Sequence, residues 1–109
     1  MTGARKGFVE YDSQEHCIRA WWVLMRTYRR RYGCTTVRQI VTRYASPSEN
    51  DTVRYVGFCC RQTGLGPDCE LKALGDYDRL GVAMARMETG TQVSVRDMAS
   101  VRSEYHINL

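Results

Sequence analysis

Between Gln14 and Tyr32, apolar residues recur at helical spacing over an arc too wide for a helix lying on a surface. Ile18, Trp21, Trp22, Met25 and Tyr28 fall on this arc, as do Cys17 and Leu24. A helix with so broad an apolar face has to be covered by several neighbours, so the segment reads as the central helix of its fold. Ser13 is its expected N-cap, with Gln14 and Glu15 in the first turn. Arg26, Arg29, Arg30 and Arg31 occupy the last turns, where cations suit the helix dipole, and Gly33 is the natural terminator. Trp21 and Trp22 project about 100° apart. Trp21 is therefore expected in the core and Trp22 at a groove edge.

The remaining periodicity builds outward from that helix. Thr35 or Thr36 caps a second one, whose Val37, Ile40, Val41 and Tyr44 follow the i, i+3, i+4, i+7 rule. Pro47 ends it. Ser48 and Asp51 read as a variant capping box for a third helix that buries Val53, Val56, Cys60 and Thr63 and stops near Gly64. Gly64-Leu65-Gly66-Pro67-Asp68 is a turn. Residues 69–75 are read as a short helical turn through Leu71 and Leu74. Asp76 is expected to cap a fourth helix with Leu80, Ala83, Met84 and Met87 inward and Gly90 at its end. Ser94 and Asp97 form a capping box for a fifth helix, and Val93 staples onto Met98. The expected fold is all-α: one compact five-helix domain over residues 1–109 with short loops. Residues 1–6 are read as disordered, 7–12 as an extended lead-in pinned by Phe8 and Tyr11, and 104–109 as a frayed tail.

Composition narrows the class. A chain of 109 residues with 43% hydrophobic and 26% charged content is ordinary for a globular domain. No apolar run approaches the roughly 20 residues of a membrane helix, and the first residues lack the apolar stretch of a signal peptide. Five cysteines cannot all pair, and none forms Cys-x-x-Cys. They read as reduced cysteines packed as small hydrophobes in a reducing compartment. Residues 1–61 hold 11 basic and 5 acidic side chains, a net of +6, against 5 and 7 in residues 62–109, a net of −2. The basic half could attract an anionic wall polymer, an acidic protein or nucleic acid.

The polar junction Tyr44-Ala45-Ser46-Pro47-Ser48-Glu49-Asn50-Asp51-Thr52 carries the candidate chemistry. It forms an elbow between two helices. Glycoside cleavage needs a carboxylic acid in a partly dry cleft. Glu49 is the candidate acid, ahead of Asp51, Glu15 and Glu10. Tyr44, Asn50, Asp51 and Trp22 are the candidate substrate contacts. The same carboxylates also suit helix capping. His16 and Cys17 are neighbours on a helix and face different ways, so no nucleophile pair or metal site is expected. No cofactor is expected. The glycines at 64 and 66 lack the Lys and Ser/Thr of a phosphate loop. Arg26, Arg29, Arg30 and Arg31 with Tyr28 and Tyr32 could grip phosphates, but Glu49 and Asp51 would repel them at the start of the would-be recognition helix, so nucleic acid is disfavoured.

One pattern resembles a known group. Phe8-x-x-Tyr11-x-Ser13-x-Glu15, Thr36-Val37-x-x-Ile40-Val41, Arg43-Tyr44-Ala45-x-Pro47-x-Glu49-Asn50-Asp51-Thr52 and the later Glu88-x-Gly90 resemble bacteriophage and prophage structural proteins with a lysozyme-like fold. The likeness spans residues 7 to about 103. More distantly the layout is similar to flagellar-type peptidoglycan glucosaminidases, whose Tyr-Ala-Thr motif lines the glycan cleft. Tyr44-Ala45-Ser46 would be its counterpart. The resemblance implies a groove for alternating amino sugars bordered by Tyr44 and Glu49. It also has departures. The Asn-Pro-Gly-Asn-Ile segment that opens the family is absent, and the glucosaminidase catalytic Glu lies upstream of the matching region. Cys17 stands where Gly is usual and Ser46 where Pro is usual. The expected function is therefore a phage- or prophage-derived lysozyme-like module, associated with peptidoglycan or structural in the virion, without independent catalysis. Its expected partners are peptidoglycan strands or another phage or bacterial protein, and its place the cytoplasm or the virion. The alternatives are an interaction module with a basic docking face and a nucleic-acid-binding helical domain.

Overall fold

A computed structural model describes residues 14–45 and 49–109. It is all-α, with α1 (Gln14–Tyr32), α2 (Val37–Ala45), α3 (Glu49–Thr63), α4 (Leu74–Thr89) and α5 (Val95–Glu104) in chain order. The expectations for Ser13, Pro47 and Ser48, for the lead-in 7–12 and for residues 1–6 lie outside the described residues. α3 packs on both α4 and α2, while α5 packs on α4 and α1.

Local chemistry sets most helix ends. Thr36 caps α2: its hydroxyl accepts from the Gln39 N–H at 3.2 Å, and the Gln39 amide oxygen accepts from the Thr36 and Thr35 N–H groups. Ser94 and Asp97 close the capping box of α5, at 3.0 and 3.1 Å. At α4 the start differs from the reading. The helix begins at Leu74, and Asp76 lies inside its first turn. The Asp76 carboxylate reaches back to the N–H groups of Lys72 and Ala73. The terminators Gly33, Gly64 and Gly90 hold φ of 65°, 76° and 72°, which glycine adopts without steric cost.

α1 presents a broad buried face, although its close backbone packing is with α5, while α3 and α4 pack most extensively on each other. Cys17, Ile18, Trp21, Trp22, Met25 and Tyr28 are all buried along α1. Trp22 does not lie at a groove edge. Both indoles are 0% exposed and meet edge to face, with centroids 5.1 Å apart. Trp22 Nε1 donates to the Met98 carbonyl of α5 at 2.9 Å, and Trp21 Nε1 points at the Met84 sulfur of α4 at 3.4 Å. A buried indole needs such a partner for its N–H, and neighbouring helices on both sides supply one each. Arg102 of α5 lies over the Trp22 ring and pairs with buried Asp78 of α4 at 2.5 Å. α1, α4 and α5 are thereby tied at one point.

Three further readings are corrected. Val53 is 66% exposed, and α3 buries Tyr55, Val56, Cys59 and Thr63 instead. α2 and α4 both cover α3, which rotates its buried arc toward Tyr55 and Cys59. Residues 69–73 are extended, without a helical turn. Glu70 bridges Thr36, the Leu71 N–H donates to the Thr35 carbonyl at 2.7 Å, and the Arg38 N–H donates to the Pro67 carbonyl. The start of α2 draws this loop into backbone pairing, and Leu71 fills the core while Leu74 remains exposed. The tail packs against the rest of the domain. α5 ends in a Schellman turn: the Ile107 N–H reaches the Arg102 carbonyl, the His106 N–H reaches that of Ser103, and His106 takes φ 53°. Ile107 is buried, and the Tyr105 hydroxyl donates to Glu15 at 2.6 Å.

Candidate functional site

The helices on either side of the α2–α3 junction are anchored in the interior. Tyr44, one residue before the end of α2, is 4% exposed, and Tyr55 comes to meet it from α3. Both hydroxyl oxygens are enclosed. Burial pushes the Tyr55 phenol far above its ordinary range. The Glu88 carboxylate, the Cys59 thiol and the Tyr44 phenol add to that shift, and a hydrogen bond to Glu88 contributes last. Burial likewise pushes the Cys59 thiol up to about 12, with Cys60 and Glu88 reinforcing it. Three helices thus bring Tyr44, Tyr55, Cys59 and Glu88 together beneath the elbow. The Tyr55 phenol and the Cys59 thiol keep their protons at neutral pH, so neither is an activated nucleophile.

The sequence candidates separate in space. Tyr44 is an interior stem whose ring has no open face for a ligand. Trp22 is in the core. Asp51 is exposed on the first turn of α3. Glu49 and Asn50 open α3, and their side chains lie outside the described residues. Glu15, the lesser candidate acid, holds the Tyr105 hydroxyl. His16 is exposed and Cys17 buried, so they face different ways. Among the described residues no group of three His, Cys, Asp or Glu side chains could hold a metal ion. No described helix is long and apolar enough to cross a membrane.

Sequence reasoning passed over Glu88 and Tyr55 as a pair. One signal was available. Glu88 sits in the last turn of α4, where the helix dipole disfavours a carboxylate.

The arginines divide into engaged and free. Arg29 donates to the Tyr77 hydroxyl at 3.1 Å and Arg30 to the Asn108 carbonyl at 3.3 Å. Arg38 makes a forked pair with Asp68, at 2.8 and 3.1 Å. Arg43 instead lies over the exposed ring of Tyr32 at 3.7 Å. Between them, Cys34, Arg38, Gln39, Thr42 and Arg43 line an open depression of about 550 Å³ on the outer side of α2.

Comparison with known proteins bears on origin. The chain is 34% identical over 84 residues to Protein P5 of Pseudoalteromonas phage PM2. It is related to a phage protein. The match takes in 77% of this chain and 52% of the phage protein, so the chain spans about half the length of the relative it matches. No protein-family model matches the chain, and no solved structure does.

Proposed function

We propose that this phage-related chain is a lysozyme-like module that binds peptidoglycan glycan at the α2–α3 elbow, in association with the virion, and does not cleave it alone. The observation that carries the reading is the buried Tyr44–Tyr55 pair at the root of the elbow. Two aromatic stems on consecutive helices anchor the end of α2 and the second turn of α3 in the interior. Anchored helix ends lower the entropy lost when a ligand binds beside them. Tyr44 acts in this reading by holding the elbow. Asn50 and Asp51 contact the sugar, and Glu49 is the acid if any bond is broken.

Sedimentation with purified cell wall tests the proposal. The chain is expected to pellet with the wall, to be released by soluble glycan fragments, and to liberate no new reducing ends. A chain that stays in the supernatant defeats the reading. Any turnover that survives Glu49→Gln removes Glu49 from the role of acid.

A further inference from the structure

The outer side of α2 holds a second feature that the elbow does not use. The depression there is broad and open to solvent. Its charge is simple. Arg38 is neutralised by the forked bond to Asp68, whose carboxyl is in turn held below its ordinary range by that bond. Arg43 has its planar group stacked on Tyr32, and no carboxylate among the described residues pairs with it. Stacking occupies the face of a guanidinium and leaves the N–H groups along its edge available. Its positive charge also reaches Tyr28, where it opposes the upward effect of burial on that phenol.

Thr42 and Gln39 supply the neighbouring polar groups. Gln39 spends its amide oxygen on the Thr35 and Thr36 N–H groups, so its amide N–H groups remain as donors. One unneutralised fork, donors from an amide and a hydroxyl, and the Tyr32 ring 51% exposed beside them make a small set. It matches a single oxyanion. It does not match a nucleic-acid backbone, which needs several free cations in a row.

We propose that the depression on the outer side of α2 binds one carboxylate or phosphate group of an acidic saccharide, with Arg43 as the anchoring fork and Thr42 and Gln39 as side donors. The proposal rests on the wall-binding reading and deepens it, because wall glycan carries such groups.

The test is a titration of the full chain followed by amide resonances, with N-acetylmuramic acid, N-acetylglucosamine and inorganic phosphate as separate probes. N-acetylmuramic acid carries a lactyl carboxylate that N-acetylglucosamine lacks. The expected result is movement of the amides of residues 38–43 with N-acetylmuramic acid and little with N-acetylglucosamine. Arg43→Ala should weaken binding about tenfold or more, and Arg43→Lys by less. Arg43 is exposed, so unchanged resonances elsewhere will show that the variant is folded. Binding of phosphate alone supports the oxyanion site and assigns its source to a phosphate-bearing polymer. Equal response to N-acetylglucosamine, no response to either anion, or an affinity indifferent to Arg43→Ala overturns the proposal. Cell-wall sedimentation separates the two readings: pelleting unaffected by Arg43→Ala keeps the elbow and removes this site, whereas failure of the unaltered chain to pellet removes the elbow.

Discussion

Replacing Arg102 by Met is expected to be among the most damaging single changes in this chain, in a way that pH should reveal. Asp78 is 5% exposed and has Arg102 as its ion-pair partner at 2.5 Å. Met preserves most of the aliphatic stem that packs beside Trp22, so the change removes charge more than volume. Breaking a buried pair from one side costs about 3–5 kcal/mol, because the remaining carboxylate stays buried without compensation. The Arg102 side chain retains 17% exposure, so some screening by water applies and the lower end, about 3 kcal/mol, is the better figure. Out of a total of about 5–15 kcal/mol this is a large fraction. In urea it amounts to a midpoint lower by about 1–3 M.

The pH dependence follows from the direction of the Asp78 shift. Burial already raises its proton affinity above the usual aspartate range, and Arg102 opposes that by charge and by hydrogen bond. Without Arg102 the folded value rises further, while the unfolded value stays near 4. The folded state then binds the proton more readily than the unfolded state does. The penalty is complete at neutral pH. It shrinks as pH falls through the folded value toward 4, by up to about 1.4 kcal/mol per pH unit. Urea denaturation of Arg102→Met at pH 7 and pH 4.5 measures both quantities, and Asp78→Asn in the same background should recover most of the loss. A loss under about 1 kcal/mol at pH 7, or one that does not change with pH, would refute the reasoning.

Other expectations are more local. A methyl group added at Gly81 would lie within 2.1 Å of the Met98 terminal carbon and 3.2 Å of the Trp21 ring, whereas at Gly75 it would meet nothing within 4 Å. Gly81→Ala should therefore lower the melting temperature, with overpacking of about 1–3 kcal/mol exceeding the gain of about 1 kcal/mol in helix propensity, and Gly75→Ala should raise it. Stability should also fall in alkali. The Cys59 thiol is pushed up to about 12 and the Tyr28 phenol to about 12, so the unfolded chain loses those protons first. The Cys59 contribution is intact below about pH 8.5 and the Tyr28 contribution below about pH 10, and each declines above that by up to about 1.4 kcal/mol per pH unit. Urea titrations from pH 7 to 11 should show the decline, and Cys59→Ala should remove its earliest part.

Much of the helical layout was legible in the residues. Five segments with 3.6-residue spacing give five helices, and Thr36, Ser94, Gly33, Gly64 and Gly90 mark ends that the structure keeps. These signals act through hydrogen bonds that span at most about six residues, so the chain carries them whatever packs against it. The relation to a phage protein was legible too.

Tertiary structure alone decided which faces close. Trp22 and Val53 exchange the environments that spacing suggests for them, because a helix covered on several sides has a buried arc set by its neighbours. Residues 69–73 turn from a marginal helix into a strap, because the start of α2 offers backbone partners that no local pattern announces. The gathering of Tyr44, Tyr55 and Glu88 beneath the elbow belongs to the same class. Each residue is ordinary in its own helix, and only the packing of α2, α3 and α4 gives a carboxylate at a helix C-terminus its reason.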